Sequence, residues 1–300
     1  MNLFNKLIAV SLPIVPKAIV RKVSARYIAG DTLADAVRVV RGLNSEGAMA
    51  TVDVLGEYIT TLAEAEVNTK YSCEVLKTIK REKIDSNLSI KLTSLGLALD
   101  KEACEKNVRN ILETARDHGN IFVRFDMENS PYTTQTLELY NKLKDQFNIG
   151  VVLQAYMRRT EDDIRDLVKK GAKNIRLCKG IYNESEDIAF KGREEIRINY
   201  LKCLELALSS GLYVGIATHD DVLVDGAKKI IKKLGLNQDQ YEFQMLLGVT
   251  EPMRRQLIKE EYRLRVYVPF GADWYGYSIR RLKENPSMAG HIVKAIFTGR

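Results

Sequence analysis

Four side chains near the end of the chain have the types and spacing to bind a small carboxylate. If residues 273–284 form a helix, Tyr277, Arg280, Arg281 and Glu284 fall at positions i, i+3, i+4 and i+7 and share one face. Two adjacent guanidiniums suit a small carboxylate. The alternative is a solvent-exposed helix with i,i+4 ion pairs. The aromatic residues and the Pro-Gly turn just upstream favour the binding site.

Further polar side chains interrupt or close short apolar segments along the chain. They are Asp53, Lys91, Asp126, Gln154, Arg176, Thr218, His219, Glu242 and Gln244. Any one of them is more often a hydrogen-bonded interior residue or a helix cap. Their recurrence at the end of segment after segment favours a shared site, because charges inside a protein need partners or ligands.

Two of these segments have residue types that suit an anionic cofactor. Residues 176–180, Arg-Leu-Cys-Lys-Gly, close a predicted strand with two cations and a turn glycine. Residues 218–220, Thr-His-Asp, close the next strand, where they could cap a helix and present backbone N–H groups to a phosphate. The G-x-G-x-x-G, G-x-x-x-x-G-K-[ST] and G-x-S-x-G motifs are absent, so Rossmann, P-loop and hydrolase-elbow interpretations lack support.

The elements that must position these residues repeat along the chain. Short β-branched segments predict strands at 51–55, 88–92, 121–125, 150–154, 174–178, 213–217, 241–245 and 264–268. A segment with helical periodicity follows each strand, for example Glu161–Lys170 and Asp221–Leu234. Eight βα units in order predict a closed parallel (β/α)8 barrel, in which the chemistry lies at the C-terminal ends of the strands.

Composition limits the alternatives. The chain has 300 residues, 45% of them hydrophobic, which is enough to bury a large core. A formal charge of +7 permits anionic substrates, membrane surfaces or nucleic acid without selecting among them. The four cysteines form no C-x-x-C pair and the three histidines have no partner at ligand spacing, so neither a metal site nor a disulfide framework is predicted and a reducing cytoplasm is expected.

The chain resembles the proline dehydrogenase family, flavin-dependent enzymes of proline catabolism, in its monofunctional bacterial form. The matching segments are 54–57 (Val-Leu-Gly-Glu), 90–93 (Ile-Lys-Leu-Thr), 125–128 (Phe-Asp-Met-Glu), 153–156 (Leu-Gln-Ala-Tyr), 176–182 (Arg-Leu-Cys-Lys-Gly-Ile-Tyr), 217–220 (Ala-Thr-His-Asp), 267–269 (Tyr-Val-Pro) and 277–284 (Tyr-x-x-Arg-Arg-x-x-Glu). They span about three quarters of the chain in the family's order. The terminal Tyr-x-x-Arg-Arg-x-x-Glu motif is highly specific.

The resemblance implies an α/β fold, a distorted (β/α)8 TIM-like barrel with N-terminal helices and a last helix capping the barrel mouth. It implies FAD at that mouth, oxidation of L-proline to Δ1-pyrroline-5-carboxylate as the first step of proline degradation to glutamate, and a membrane quinone as electron acceptor. A separate pyrroline-5-carboxylate dehydrogenase would take the product. Hydroxyproline oxidation within the same family is the nearest alternative.

Residue roles also follow from the resemblance. Asp126 and Arg176 match catalytic positions, and Lys91, Tyr267, Tyr277, Arg280 and Arg281 match substrate-binding positions. Cofactor-binding positions are matched by Met127, Gln154, Arg176, Lys179, Gly180, Ile181, Thr218, His219 and Glu284. Glu57 matches an acidic residue that pairs with the first arginine of the motif as a gate. Cys178 and Ile181 replace the usual Val and Ala, which puts only local shape in doubt.

The N-terminal segment is interpreted separately from the barrel. We divide the chain into an N-terminal helical segment, 1–48, and an FAD-binding barrel, 49–300. The apolar run Leu7–Val15 is broken by Pro13, is followed by basic residues and is too short to span a bilayer. It predicts either a peripheral membrane-surface element or a segment packed on the barrel. The need to meet quinone favours the former, with the protein cytoplasmic at the inner face of the cell membrane.

Two other function classes are open at this point. A cofactor-free barrel isomerase or aldolase would be colourless and would not respond to proline. A nucleic-acid-binding module would show salt-dependent retention on DNA, but the sequence has no visible platform of stacked aromatic and basic residues. No nucleic-acid partner is therefore predicted.

Overall fold

Eight parallel strands form a closed barrel in chain order in the computed structural model, which describes residues 20–21, 25–56 and 59–278. The last strand pairs with the first and closes the barrel. The strands are β1 Met49–Val54, β2 Ser86–Ile90, β3 Val123–Phe125, β4 Ile149–Gln154, β5 Asn174–Cys178, β6 Tyr213–Ala217, β7 Tyr241–Leu246 and β8 Leu264–Phe270. The predicted (β/α)8 barrel is confirmed.

Helices alternate with the strands. They are α1 Leu33–Ser45, α2 Leu62–Glu82, α3 Lys101–Asp117, α4 Ser130–Leu143, α5 Thr160–Lys169, α6 Arg193–Ser209, α7 Asp221–Leu234 and α8 Glu251–Lys259. Capping boxes at Thr32 and Thr61 begin α1 and α2. Asp220 caps α7 by accepting a hydrogen bond from the Val222 N–H, as the sequence suggested. Short 3₁₀ helices lie at Thr93–Leu95 and Gln238–Gln240.

Six strands begin or end one or two residues away from their predicted bounds, and two of these shifts have a local cause. β2 ends at Ile90, because Leu92 already has helical backbone angles and leads into the 3₁₀ helix that follows. β3 starts at Val123, because the Ile121 N–H is bonded to the Ala115 carbonyl at the end of α3. The β2 boundary places Lys91 just beyond its strand, at the rim of the barrel.

The helix before the first strand, α1, takes the place on the outside of the barrel that a helix after β8 would otherwise occupy. α1 packs against β8 and β1, where an eighth external helix would lie in a regular barrel. The helical residues 274–278 instead pack beyond the C-terminal end of β1, where Trp274 and Tyr277 form a small apolar cluster with Ile28 and Leu55. The described part of the last helix therefore lies at the barrel mouth, as predicted, and residues 279–300 lie outside the described residues.

The apolar core and the barrel interior are separate environments. The main apolar cluster joins strand and helix side chains such as Leu88 of β2, Ile111 of α3 and Tyr140 of α4. Inside the barrel the contacts are polar. Asp126, next to β3, binds Arg176 on β5, and because β3 and β5 are not neighbours this contact crosses the interior. The polar contacts inside the barrel are therefore separate from the apolar packing that joins the strands to the helices.

The division into two domains stays a prediction. Its boundary coincides with Met49, the first residue of β1, but residues 1–19 and 22–24 lie outside the described part of the chain. Among the described helices, none combines the length and apolar composition needed to cross a bilayer.

Candidate active site at the barrel mouth

A cavity of ≈ 310 Å³ opens at the C-terminal ends of the strands. The predicted site residues that line it are Lys91, Asp126, Met127, Arg176, Lys179, Gly180, Ile181, Thr218, His219, Tyr267 and Tyr277. The sequence assigned no role to several other lining residues, Glu128, Val152, Tyr182, Ala217, Met245 and Leu246. Glu128, Tyr182 and Ala217 stand in segments that carry the resemblance described above, but no role was assigned to them. Val152, Met245 and Leu246 are apolar strand residues, which a sequence does not distinguish from core residues. Residues from seven of the eight strands and the loops that follow them thus meet around one space.

Asp126 is the centre of the polar cluster in this cavity. Its Oδ1 accepts hydrogen bonds from Ser89 Oγ at 2.5 Å and from Arg176 Nη1 at 2.8 Å, and its Oδ2 accepts one from the Tyr267 hydroxyl at 2.8 Å. Lys91 Nζ lies 3.7 Å from Oδ2. Burial raises the pKa of Asp126, but the positive charges of Arg176 and Lys91 outweigh burial, so the pKa lies below its usual value. The carboxylate is ionised at neutral pH.

Lys91 is fixed by a second carboxylate. Its ammonium group donates to both carboxylate oxygens of Asp53 at 2.8 Å and lies 3.4 Å from the Tyr267 hydroxyl. Asp53 is 1% exposed, so the pair is shielded from solvent. An ion pair of this kind holds a lysine in one geometry and keeps it charged. Lys91 therefore presents a fixed positive charge at the rim.

Tyr267 closes the same cluster. The Arg176 guanidinium lies over its ring, with Cζ 5.4 Å from the ring centroid. Burial, followed by the charges of Asp126 and Asp53, raises the pKa of Tyr267 well above its usual value. The phenol therefore remains protonated and donates to Asp126. The cluster therefore presents a protonated phenol beside the guanidinium of Arg176 and the ammonium group of Lys91.

Two residues that the sequence singled out without a role connect this cluster to the lower barrel. Gln244 accepts from Arg176 Nε at 2.5 Å and donates from Nε2 to Glu242 at 2.5 Å. Glu242 in turn pairs with Arg265 at 2.7 Å. The amide of Gln244 is oriented by its two partners. Gly215 on β6 has no side chain and so makes room for this amide, since a Cβ at position 215 would lie 2.4 Å from Gln244 Nε2. Gln244 and Glu242 therefore fix the position of Arg176.

The remaining predicted site residues divide into three groups. Lys179 and His219 line the cavity, with Lys179 Nζ 3.2 Å from Asp220 and His219 Nε2 accepting from the Leu246 N–H at 2.8 Å. Gln154 does not line the cavity, because it is buried and its amide donates to the Glu128 carbonyl. The positions outside the described residues are Glu57, Arg280, Arg281 and Glu284. Roles for all of them stay predictions.

Gly180, which lines the cavity, packs its backbone closely against the ring of Tyr156. It has φ +105°, and a Cβ there would lie 2.1 Å from Cδ1 of Tyr156. We expect Gly180→Ala to lower the free energy of unfolding by about 1–3 kcal/mol more than Gly171→Ala, because overpacking adds to backbone strain. Gly171 is the matched control, since its φ is +76° and nothing lies within 4 Å. Urea unfolding of both variants checks this, and equal losses would contradict it.

The buried Glu242 predicts a pH-dependent stability. Burial raises its pKa, but Arg265 outweighs burial and the pKa falls to about 2. A depressed folded-state pKa stabilises above the unfolded-state value, near 4.5, and the contribution is lost as pH falls towards 2. We expect the difference in unfolding free energy between the parent and Glu242→Gln to shrink by about 1 kcal/mol from pH 7 to pH 3.5. Urea titrations at both values measure it, and a constant difference would contradict it.

Comparison with solved structures supports the fold. The chain is similar to proline utilization A (PutA) from Bdellovibrio bacteriovorus, a structure described as inactivated by N-propargylglycine. The TM-score is 0.84 at 23% identity, covering 94% of this chain and 36% of that one. The chain thus spans about a third of that protein, and at this identity the likeness concerns the fold alone.

Comparison of sequences identifies the family. The model of the family described as "Proline dehydrogenase" matches residues 36–294 of this chain. Proline dehydrogenase 2 of Bacillus subtilis (strain 168) is 39% identical over 268 residues, covering 89% of this chain and 88% of the relative. Proline dehydrogenase of Deinococcus radiodurans is 34% identical over 283 residues, covering 91% and 90%. This chain, whose barrel mouth gathers Lys91, Asp126, Arg176 and Tyr267, belongs to the proline dehydrogenase family.

Proposed function

We propose that this protein oxidises L-proline to Δ1-pyrroline-5-carboxylate with FAD as the hydride acceptor. The observation that carries the proposal is the cluster in the mouth cavity, in which Asp126 binds Arg176 and Tyr267 beside Lys91. Fixed cations beside an aromatic wall suit a small cyclic amino acid with a carboxylate. Relatives at 34–39% identity are named proline dehydrogenases, which favours L-proline over hydroxyproline as the substrate.

The lining and size of the mouth cavity support the proposal of a flavin. Gly180 lines the cavity, and the cavity volume of ≈ 310 Å³ lies at the lower end of the range for sites that bind small molecules. Cationic and hydrogen-bonding side chains stand on successive loops around it. The residues proposed to hold FAD are Met127, Gln154, Arg176, Lys179, Gly180, Ile181, Thr218, His219 and Glu284. Of these, Gln154 would act through the loop that carries Glu128, to whose carbonyl it donates.

The substrate would be held by its carboxylate and its ring. Arg280 and Arg281, together with Lys91, would bind the carboxylate, each charge-assisted bond contributing about 1.5–3 kcal/mol. Asp53 keeps Lys91 in place for this contact. Tyr267 and Tyr277 would enclose the pyrrolidine ring, and both line the cavity. Glu57 would pair with Arg280 as a gate. A ring held in one orientation reacts faster because its entropy is already lost on binding.

The side chains of the site would supply fixed charges and exclude water. None of them would need to act as a strong base. FAD, when bound, would supply the acceptor for a hydride from the ring carbon beside the nitrogen, and the site would have to hold the substrate with its amine lone pair free. Asp126 is occupied by Ser89, Arg176 and Tyr267. Its role as a catalytic residue would be to hold Arg176, whose charge stabilises negative charge that develops nearby.

Visible spectroscopy tests the proposed function. The purified protein is expected to carry FAD, and anaerobic L-proline should bleach its flavin absorbance. The same titration with trans-4-hydroxyproline distinguishes the two substrates, and we expect L-proline to bleach at lower concentration. A colourless protein that stays colourless after FAD reconstitution would contradict the cofactor. Preferential bleaching by hydroxyproline would contradict the substrate.

We further propose that a membrane quinone reoxidises the flavin and that residues 1–28 bind the membrane surface from the cytoplasmic side. The segment contains an apolar run followed by Lys17, Arg21, Lys22 and Arg26. Deleting residues 1–19, which keeps Ile28 packed against Tyr277, is expected to leave bleaching by proline intact and to weaken co-sedimentation with anionic vesicles. Equal sedimentation of both proteins would favour packing of the segment on the barrel. A separate pyrroline-5-carboxylate dehydrogenase is proposed to consume the product.

A further inference from the structure

A second cavity, of ≈ 290 Å³, lies at the opposite end of the barrel. Its wall is formed where strands begin, including Asn87 of β2, Arg124 of β3, Asn174 of β5, Tyr213 of β6 and Arg265 of β8. The mouth cavity is lined by residues at the other ends of these strands. The two cavities are therefore separate, and the proposed reaction makes no use of this one.

Arg124 is a buried cation without a carboxylate partner. Its side chain is 1% exposed. Nη2 donates to Asn174 Oδ1 at 2.7 Å, Nη1 lies 3.4 Å from the Val151 carbonyl, and Nε has no hydrogen-bond partner. Arg176 and Arg265, also inside the barrel, pair with Asp126 and Glu242. Among the described residues, no carboxylate oxygen lies within 4.0 Å of a guanidinium nitrogen of Arg124.

The charge of Glu242 acts on Arg124 from beyond ion-pair distance and offsets the cost of its burial only in part. Burial lowers the pKa of Arg124 to about 9, so the guanidinium is still charged at neutral pH. A buried charge without a counter-charge is unfavourable by several kcal/mol in proteins, and buried guanidiniums are usually paired with anions. Arg124 lines the cavity, so a counter-charge bound there would be close to it.

Other donors line the same cavity. Arg263 contacts Met49 Sδ at 3.6 Å and stacks on Tyr213 at 5.8 Å, and in the described part of the chain it also has no carboxylate within ion-pair distance. Thr51 donates to Oδ1 of Asn87, which leaves the Asn87 amide nitrogen as a donor. Glu242 is occupied by Arg265 and Tyr213. Three guanidiniums thus face two carboxylates, Glu242 and the exposed Asp85.

We propose that this cavity binds a small oxyanion, a phosphate or a carboxylate, between Arg124 and Arg263. The Arg263 guanidinium has the planar fork that matches the paired oxygens of such an anion, the Nε of Arg124 has no hydrogen-bond partner, and the side-chain amide nitrogen of Asn87 adds a further donor. Phosphate and carboxylate share this chemistry and differ in charge and in the number of acceptor oxygens.

Calorimetric titration tests the site. Inorganic phosphate and, separately, acetate are added to the full-length protein as purified, at an ionic strength held constant with sodium chloride. We expect saturable binding of at least one of them, and a dissociation constant at least about tenfold higher in Arg263→Gln, because one charge-assisted contact is lost. Tighter binding of phosphate than of acetate would identify a tetrahedral anion, and the reverse order a carboxylate. Arg255→Gln, an exposed arginine on α8, is the matched control and should bind like the parent.

Two outcomes would overturn the proposal. One is the absence of saturable binding of either anion to the parent protein. The other is binding that Arg263→Gln leaves unchanged, which would place the anion elsewhere, for example at the mouth cavity. Arg124→Lys is the second variant, because it keeps the buried charge and loses the planar fork. It too should weaken binding at least about tenfold, with circular dichroism confirming that the variant is folded.

Discussion

Replacing Asp126 with asparagine is expected to lower kcat/KM for L-proline by about a hundredfold to a thousandfold. The carboxylate binds Arg176 at 2.8 Å, lies 3.7 Å from Lys91 and is 9% exposed. Breaking a buried ion pair by removing one partner costs about 3–5 kcal/mol, because the remaining charge is left uncompensated. Arg176 and Lys91 would move from the positions in which they bind substrate and stabilise charge, and part of this free energy would therefore be lost from transition-state binding.

Steady-state kinetics of Asp126→Asn with L-proline measure the effect, and urea unfolding separates loss of activity from loss of fold. Asp166→Asn is the matched control, since Asp166 forms an i,i+4 pair with Lys170 whose side chains are half exposed. Surface pairs of this kind contribute at most about 1 kcal/mol, so the control should retain the parent's kcat/KM. A value for Asp126→Asn within about threefold of the parent, less than 1 kcal/mol in barrier, would mean that Asp126 does not organise the site.

Replacing Arg281 with methionine is expected to lower kcat/KM by about thirtyfold to a thousandfold, mainly through a higher KM. Two guanidiniums are predicted to bind the substrate carboxylate, and losing one should cost about 2–4 kcal/mol. Arg281 lies outside the described residues, so the prediction rests on its i+4 spacing from Tyr277, which lines the cavity. The flavin should stay bound, because its proposed contacts lie on other segments.

The variants at this position distinguish binding from solvent exposure. Arg281→Lys should restore little of the kcat/KM that Arg281→Met loses, since an ammonium group cannot reproduce the planar fork of a guanidinium. A solvent-exposed, ion-paired helix predicts almost no kinetic change and at most about 0.5 kcal/mol of lost stability. Arg255→Met, which removes an exposed arginine on α8, controls for the general effect of charge loss. Equal kinetics of Arg281→Met and Arg255→Met would show that Arg281 does not hold the substrate.

The sequence by itself determined the order and type of the elements. The strands at 174–178 and 213–217 and the helix Asp221–Leu234 have the predicted boundaries. β-Branched runs and helical periodicity are local signals, because each depends only on residues a few positions apart. The rim position of Lys91, Asp126 and Thr218 also followed, since parallel strands of a barrel all end on one side. Glu242 was expected there too, but it follows the first residue of β7 and lines the cavity at the other end of the barrel. Boundaries shifted where a local hydrogen bond competed with the ladder, as at Ile121 and Leu92.

Only the tertiary structure decided which of the rim residues touch. Asp126 meets Arg176, 50 positions away, and Tyr267, 141 positions away, across the barrel interior. The sequence identified Gln244 and Glu242 as polar strand residues, but their link to Arg176 and Arg265 depends on strand stagger and side-chain rotamers. The same is true of Arg124, which the sequence shows as one charge in a strand and the structure as a buried cation without a carboxylate partner among the described residues. Distances of a few ångströms between distant segments are fixed by packing of the whole barrel, and no local pattern encodes them.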